Sequence, residues 1–277
     1  MAYINGPIAI GGLGGSGTRV FAELLRSSGF HFGSDLNDAI DNLTFTLLFK
    51  RLSALTDTES SFTKLAEIFF SSLCGDFRSA LDERDLIFSL ASSDRMGHSR
   101  DWYLQRVEAL LACQSPPPSE CFGWKEPNTH VVIDRLLGIQ ERLKYIHVLR
   151  NPYYMAYSIN QNQLANWAPI FFGSYVEISP RNALAFWKKA HQRMVALMKL
   201  WPGRILMVRY EDLYARPQAL IGEIEAFIDV GLGPGVISNL NDLIGGFPAP
   251  ISCADLNYTL FDEEDRAYVE QHWDQGM

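Results

Sequence analysis

The stretch IAIGGLGGSGTR, residues 8–19, joins a short apolar run to a cluster of glycines. Of the seven residues 11–17, five are glycine, and apolar residues recur with helical spacing over residues 18–27. This order predicts a buried strand, a tight loop and a helix. Glycines let successive backbone N–H groups point inward, and the helix N-terminus adds partial positive charge. We therefore expect the loop to bind an anion, with a tight turn that holds no ligand as the alternative.

The loop resembles the phosphate-binding P-loop without matching it. The GxxxxGK[ST] pattern needs a lysine where this chain has Thr18, and a serine or threonine where it has Arg19. Without those two residues, the usual contacts to terminal phosphates and magnesium are missing. The sequence therefore disfavours an ordinary ATP-dependent kinase.

Further short apolar runs alternate with helical patterns along the chain. They predict four more strands, at residues 30–33, 121–125, 145–149 and 205–208. Strands that alternate with helices form right-handed crossovers and a parallel sheet that is covered on both faces. We therefore predict an α/β fold with three layers and about five parallel strands, of the P-loop-like type, and a single domain over residues 1–277.

Residues 35–115, roughly, form a helical insertion after the second predicted strand. Helical patterning is clearest at residues 43–52, 62–73 and 102–111, and residues 86–90 are a candidate extended segment. The insertion ends at SPPPS, residues 115–119, which breaks the chain.

Composition excludes several classes of protein. The chain of 277 residues carries a formal charge of −8, which argues against a general nucleic-acid binder. No apolar stretch reaches the roughly 18 residues of a membrane span, and no signal-peptide pattern opens the sequence, so we expect a cytoplasmic protein. The cysteines show no CxxC spacing and no histidine cluster, so we expect reduced thiols and no metal site; they are Cys74, Cys113, Cys121 and Cys253.

Three further segments follow the predicted strands: GWKEP at residues 123–127, VLRNP at residues 148–152 and RYEDL at residues 209–213. Together with GSGTR at residues 15–19, they resemble the sulfotransferase family in order and position. The ordered motifs span residues 8–213. Each motif alone is weak, but four of them at the carboxyl ends of predicted strands form a fairly specific signal.

The resemblance implies 3′-phosphoadenosine 5′-phosphosulfate (PAPS) as the sulfuryl donor, the bisphosphate PAP as its product, and no metal. In the family, a P-loop-like turn holds the 5′-phosphate, and an arginine and a serine eight residues apart hold the 3′-phosphate. Arg150 and Ser158 have this spacing, and we expect Ser158 about two turns into the helix that follows Arg150. Tyr210 aligns with a tyrosine that contacts adenine. The implied cofactor-binding residues are Gly14, Gly15, Ser16, Gly17, Thr18, Arg19, Arg150, Ser158 and Tyr210.

Each of these assignments has a structural alternative. Arg150 could be a surface arginine paired with a carboxylate, and Tyr210 a core aromatic residue. Many members of the family carry a basic residue where this chain has Gly15. The task of stabilising the leaving group would then fall to Arg19 and Lys125. If neither reaches it, the protein binds PAPS without turning it over.

Catalysis requires a cation for the transferred group and a base for the acceptor hydroxyl. Lys125 closes a predicted strand and is our candidate cation; a solvated lysine before a turn is the alternative. Asp35 is our candidate base, because the protein-tyrosine branch of the family places an acidic base at nearly this distance from the loop. Ser34 and Asp35 also suit a helix N-cap. Further candidates for the base are Asp38, Asp41 and Glu126.

Other polar residues are expected to be structural. His130 is predicted on a helix surface and His147 in the core of a strand. Residues 160–163 are expected to extend the helix that carries Ser158. Their polar groups could face an acceptor or form a solvated face, and the solvated face is the favoured interpretation.

The leading hypothesis is a PAPS-dependent sulfotransferase that acts on a hydroxyl of a small molecule or glycan by in-line displacement. A non-catalytic nucleotide-binding protein and a P-loop kinase-like phosphotransferase are the alternatives. No nucleic acid partner and no membrane span are expected. The acceptor and the oligomeric state cannot be inferred from the sequence.

Overall fold

Four parallel strands form one sheet in the part of the chain that our computed structural model describes, which is residues 6–76, 78–92, 95, 97–112, 121–246 and 256–274. The strands are β1 (Ile8–Gly12), β2 (Gly123–Lys125), β3 (Lys144–Leu149) and β4 (Ile205–Arg209). Their order across the sheet is β2-β1-β3-β4. The carboxyl ends of all four strands therefore share one edge, where the motifs of the sequence also lie.

The predicted second strand is reduced to a single bridge. His31 pairs in parallel with Phe122, since its N–H donates to the carbonyl of Cys121 at 3.0 Å and its carbonyl accepts from Gly123 N at 2.9 Å. Gly29 and Gly33 flank the segment with φ angles of 90° and 100°, so the chain turns away on both sides. The predicted α/β class is confirmed, with four strands in place of about five.

Helices connect the strands and cover both faces of the sheet. Their bounds are α1 Thr18–Ser27, α2 Leu43–Phe49, α3 Glu59–Leu73, α4 Arg78–Asp82, α5 Arg84–Ser92, α6 Arg100–Ala112, α7 Thr129–Ile139, α8 Pro152–Ala156, α9 Asn162–Phe172, α10 Pro180–Leu200, α11 Asp212–Ala215, α12 Pro217–Ile228, α13 Pro234–Gly245 and α14 Glu263–Val269. Short 3-10 helices cover Leu52–Leu55 and Tyr258–Leu260, and a π-helical turn covers Glu270–Asp274.

Alternate residues of the strands divide the core into two clusters, as expected for a sheet between two helical layers. Ala9 packs with residues of α2, α3, α7 and α10, whereas Ile8 and Ile10 pack with residues of α1, α12 and α13. All five residues of β1 are buried. The predicted three layers are confirmed.

The insertion between β1 and β2 is helical, and the extended segment predicted at residues 86–90 is wrong. Those residues lie inside α5, where Ile87 and Ala91 are buried one helical turn apart. The chain break at residues 115–119 lies outside the described residues, as do Cys113 and Cys253. Within the described part of the chain, no helix combines the length and the apolar character needed to cross a membrane.

Candidate functional site

The glycine loop connects β1 to α1 at the carboxyl edge of the sheet. Gly12 N donates to the carbonyl of Pro127 at 3.1 Å, and Ser16 N donates to the carbonyl of Leu13 at 3.0 Å. Gly17 precedes α1 with a φ of 93°, a conformation that glycine adopts without strain. Ser16 is buried, and its Oγ has no hydrogen-bond partner among the described residues. A buried hydroxyl without a partner at the start of a helix is suited to contact an anion.

Arg150 lies directly after β3 and reaches back to this loop. Its Nη1 donates to the carbonyl of Gly15 at 3.0 Å, while its buried Nη2 has no partner in the part of the chain that is described. The guanidinium Cζ lies 4.2 Å from the ring centre of Tyr154 and 4.4 Å from that of Tyr210. Two aromatic rings therefore fix a buried cation with one donor available. Arg150 is not the surface residue of the alternative interpretation.

Tyr210 follows β4 as Arg150 follows β3. The two strands pair Leu149 with Arg209, so the next residues along each strand lie side by side. Tyr210 is buried and its hydroxyl lies 3.3 Å from that of Tyr214. Burial raises the pKa of Tyr210, with the hydroxyl of Tyr214 adding to the effect. Its ring packs against Gly17 of the glycine loop, and it is also part of the hydrophobic core.

Residues 158–163 run along the glycine loop. Ser158 Oγ lies 3.5 Å from the position of a Cβ atom built on Gly15, and the Asn160 amide lies 3.3 Å from that of Gly14. Gln163 Nε2 donates to the carbonyl of Gly12 at 3.1 Å. The segment thus runs beside Gly12, Gly14 and Gly15, and it hydrogen-bonds to the first of them.

The helical placement predicted for this segment is wrong. α8 ends at Ala156 and α9 begins at Asn162, so Ser158 lies in the loop between them, where its Oγ accepts from Asn160 N at 3.2 Å. Asn151 caps α8 by accepting from Tyr153 N, and the Gln161 side chain donates to the carbonyls of Met155 and Ser158. Polar side chains thus satisfy the backbone where helical hydrogen bonds stop.

Gln163 was predicted only as one residue of the polar segment 160–163. It is buried, not part of a solvated face, and its Oε1 lies 3.1 Å from His130 Nε2. His130 is likewise buried, so its predicted place on a helix surface is wrong, whereas His147 lies in the core of β3 as predicted. Burial lowers the pKa of His130 to about 3. The neutral imidazole therefore supports the side chain that holds Gly12.

Lys125 ends β2, the strand beside β1. Its side chain is only 3% exposed, and its Nζ donates to Asp41 at 2.5 Å and to the carbonyl of Ala39 at 2.9 Å. Asn42 N donates to the carbonyl of Lys125 at 2.8 Å. Lys125 is therefore a buried, paired cation and not the solvated lysine of the alternative.

Asp35 lies in the same neighbourhood, since its carbonyl accepts from Leu43 N at 2.9 Å. Its Oδ1 pairs with Arg106 of α6 at 3.2 Å, and its buried Oδ2 has no partner among the described residues. Burial raises the pKa of Asp35, and the charge of Arg106 opposes that shift. Asp35 does not cap a helix, because Asn42 caps α2 through its Oδ1 and Phe45 N. The N-cap interpretation of Asp35 is wrong.

The other acidic candidates differ in burial. Glu126 is buried and accepts from the backbone N and the side-chain amide of Asn128, and Lys50 lies 3.9 Å away. Burial raises the pKa of Glu126. Asp41 forms a salt bridge with Lys125, and Asp38 is exposed.

The structure thus brings the predicted residues together in two adjacent groups. Arg150, Ser158 and Tyr210 surround the glycine loop after β1, while Lys125 and Asp35 lie at the carboxyl end of β2. The two strands are neighbours, with Ile10 paired to Lys125. Arg19 is on the exposed face of α1, and Thr18 is buried. The sequence did not identify Tyr154 or Arg106, and it gave Gln163 a solvated position. The position of a tyrosine four residues after Arg150 was the one visible signal.

Comparisons with known proteins point to one family. A profile of the sulfotransferase family matches residues 7–233. A sulfotransferase from Mycobacterium avium has a similar fold, with 15% identity and a TM-score of 0.52 over 99% of this chain and 77% of that chain. A sulfotransferase domain from the curacin biosynthetic pathway is 15% identical, with a TM-score of 0.49 over 97% of both chains. No curated protein matches the sequence. Because the profile covers most of its length, the chain belongs to the sulfotransferase family.

Proposed function

We propose that the protein transfers a sulfuryl group from PAPS to a hydroxyl group by in-line displacement. The observation that carries the proposal is a pair of buried polar atoms without hydrogen-bond partners in the described residues, Ser16 Oγ and Arg150 Nη2. Ser16 belongs to the glycine loop and Arg150 lies beside it, and each atom is a donor suited to a phosphate oxygen. Buried donors without partners cost stability unless a ligand satisfies them.

The residues around the loop fit a nucleotide with two phosphate groups. The loop N–H groups and Ser16 would hold the 5′-phosphate at the start of α1. Arg150, which donates to the carbonyl of Gly15, and Ser158, whose Oγ lies beside Gly15, would hold the 3′-phosphate. Tyr210 and Tyr154 would provide aromatic surface near the base, and both already pack on Arg150.

The second group of residues supports the chemistry. PAPS supplies a sulfuryl group attached to a phosphate leaving group. As the acceptor oxygen bonds to sulfur and the bridging S–O bond breaks, negative charge develops on the leaving oxygen. Lys125 would stabilise the group in transfer, and Asp35 would take the hydroxyl proton. Arg106 holds the Asp35 carboxyl in place.

A non-catalytic nucleotide-binding protein is the second candidate function. Gly15 provides no charge in the loop, and Lys125 is paired with Asp41. Binding without turnover would follow if that pair does not open. Nothing favours a kinase-like phosphotransferase, because the loop lacks the lysine that terminal phosphates require. Three statements remain predictions from the sequence. They are that the acceptor is a small molecule or glycan, that the chain forms a single domain, and that the protein is cytoplasmic.

Nucleotide-dependent stabilisation tests the proposal. A ligand at a hundredfold excess over its Kd stabilises the native state by about 2.7 kcal/mol. We expect PAP to raise the melting temperature and ATP with magnesium to leave it unchanged. The reverse order would refute the assignment.

Arg150→Ala provides the sharper test. We expect this variant to weaken PAP much more than adenosine 5′-phosphate, because only PAP carries the 3′-phosphate. Arg181→Ala is the control, since Arg181 pairs with Asp262 at the surface. Equal losses for both nucleotides would place Arg150 elsewhere in the site.

A further inference from the structure

A tight turn of residues 37–41 covers the side chain of Lys125. Lys125 is only 3% exposed, and its Nζ donates to Asp41 Oδ1 at 2.5 Å and to the carbonyl of Ala39 at 2.9 Å. These two acceptors come from the residues on either side of Ile40, so one short turn holds the ammonium. Because the ammonium is shielded from solvent, a sulfuryl oxygen can bind it only if a covering group moves.

Ile40 gives the turn a strained backbone. Its φ is 63°, in the left-handed region that a β-branched residue seldom adopts. Such a conformation is unfavourable, and it persists only where the surrounding contacts hold it in place. The side chain of Ile40 is buried in the core cluster that contains Ile8 and Ile10. The turn therefore stores unfavourable backbone energy in the same five residues that hold Lys125.

Asn37 supplies contacts that keep the turn closed. Its Oδ1 accepts from Ala39 N at 2.9 Å and from Asp41 N at 2.8 Å, and its Nδ2 donates to Asp41 Oδ2 at 2.9 Å. Its carbonyl accepts from Ile40 N at 2.9 Å. Asn37 is exposed, so water competes for these hydrogen bonds. The closed turn thus depends on an exposed side chain and works against the backbone of Ile40.

We propose that the turn 37–41 is a latch, which keeps Lys125 paired with Asp41 until the sulfuryl group of the donor displaces that carboxylate. This inference rests on the proposed function, because it takes Lys125 as the cation that stabilises the transferred group. The sulfuryl group presents anionic oxygens, which can replace the carboxylate of Asp41 on Lys125 through charge-assisted hydrogen bonds. Relief of the strain at Ile40 favours this exchange. PAP has no sulfuryl group and should leave the latch closed.

The alternative is that the salt bridge between Lys125 and Asp41 joins the turn to β2 permanently. In that case, substitutions in the turn would change stability and would affect PAPS and PAP equally. A latch predicts a change that is confined to PAPS, because a ligand that needs a minor conformation binds more weakly in proportion to the population of that conformation. The ratio of the two Kd values therefore separates the interpretations, and general effects of a substitution cancel in it.

The experiment measures the Kd of PAPS and the Kd of PAP by calorimetry without a hydroxyl acceptor. Asn37→Ala removes the side-chain contacts of the closed turn, so it should favour the open latch. Ile40→Gly introduces a residue that adopts a positive φ without strain, so it should favour the closed latch. Asn182→Ala is the control, because the Asn182 side chain donates to the carbonyl of Glu177 at 2.9 Å in a different surface turn.

We expect Asn37→Ala to bind PAPS about tenfold more tightly relative to PAP, and Ile40→Gly to shift the ratio in the opposite direction. Asn182→Ala should keep the ratio of the unaltered chain. Ile40→Gly also removes a buried side chain. If that variant does not fold, Asn37→Ala decides the question, because Asn37 is exposed.

Hydrogen exchange provides a readout that does not depend on affinity. The amides of Ala39, Ile40 and Asp41 all donate to Asn37 in the closed turn. They should therefore exchange faster with saturating PAPS than with saturating PAP. A ratio of Kd values that is the same in all variants, or exchange that PAPS does not accelerate, would overturn the latch. Failure of both nucleotides to bind would instead refute the proposed function, and it would remove the donor that the latch requires.

Discussion

The ring of Tyr210 occupies the space that a side chain on Gly17 would need. A Cβ atom built on Gly17 would lie 2.2 Å from Cδ2 of Tyr210. The same ring lies 4.4 Å from the guanidinium of Arg150. Gly17, the residue before α1, therefore leaves room for the aromatic residue that packs on Arg150, the candidate phosphate-binding residue.

The first prediction concerns Gly17→Ala. A left-handed conformation costs an alanine about 1–2 kcal/mol, and the new methyl group would also displace Tyr210. We expect loss of stability together with at least a tenfold loss of PAP affinity, about 1.4 kcal/mol. Thermal unfolding and calorimetric titration measure the two effects.

Gly29→Ala is the matched control for Gly17→Ala. Gly29 has a φ of 90°, close to the 93° of Gly17, but no atom lies within 4 Å of its Cβ position. Both variants should lose similar stability from the backbone, and Gly29→Ala should keep its PAP affinity. Equal effects on PAP would show that the contact with Tyr210 does not matter for binding.

The second prediction concerns Lys125→Ala. If Lys125 stabilises charge that develops during transfer, its loss should reduce turnover by about 10²–10³-fold. The Kd for PAP should change little, because the interaction grows in the transition state. Lys64→Ala is the control, since its salt bridge with Glu83 is exposed. A parallel loss of PAP affinity would make Lys125 a binding residue instead.

Local sequence patterns were sufficient for the four strands of the sheet and the glycine loop, because β1, β3 and β4 are short apolar runs that end at polar or glycine residues. They also predicted a strand at residues 30–33, where the structure has a single bridge. They were insufficient where distant residues decide the outcome. Gln163 contacts Gly12 across 151 positions, and Arg106 contacts Asp35 across 71. The buried roles of Gln163 and of the charges around Asp35 were therefore invisible in the sequence.

Residues 86–90 show a different limit of the sequence. A short apolar run suits either a strand or one buried turn of a helix, and only the packing of α5 decides between them. Ser158 has the spacing expected from the resemblance, but it reaches Gly15 from a loop and not from a helix. Spacing along the chain thus identified the residue and not its local conformation.

The third prediction concerns Asp35→Asn. A general base contributes about 10²–10⁴-fold to rate, so turnover should fall by that factor while PAP binding is retained. A purely structural role would instead change stability and leave turnover per folded molecule intact. Full activity in Asp35→Asn would eliminate Asp35 as the base. The same substitution at Asp38 and Asp41, and Glu126→Gln, would then identify the base.

The fourth prediction is a pH dependence of turnover. A base must be ionised, so turnover should fall as the pH drops through the pKa of Asp35. Burial raises that pKa above the ordinary aspartate value, and Arg106 opposes the shift. Arg106→Gln removes the opposing charge and should move the acidic limb of the pH–rate profile to higher pH. An unchanged acidic limb would show that Asp35 is not the group whose protonation reduces turnover.

The fifth prediction concerns the buried imidazole of His130 and the pH dependence of stability. Burial lowers its pKa to about 3 in the folded chain, while an unfolded histidine titrates near 6.5. Between these values the unfolded state binds the extra proton, so stability falls as the pH falls. From pH 7 to pH 5 this histidine should reduce the free energy of unfolding by about 2 kcal/mol.

His130→Gln retains a partner for Gln163 and removes the titration. Chemical denaturation at pH 8 gives the packing cost of the substitution, and the difference between the two proteins should then shift by about 2 kcal/mol in favour of His130→Gln at pH 5. A difference that stays constant with pH would show that His130 does not titrate between the two states as its burial requires.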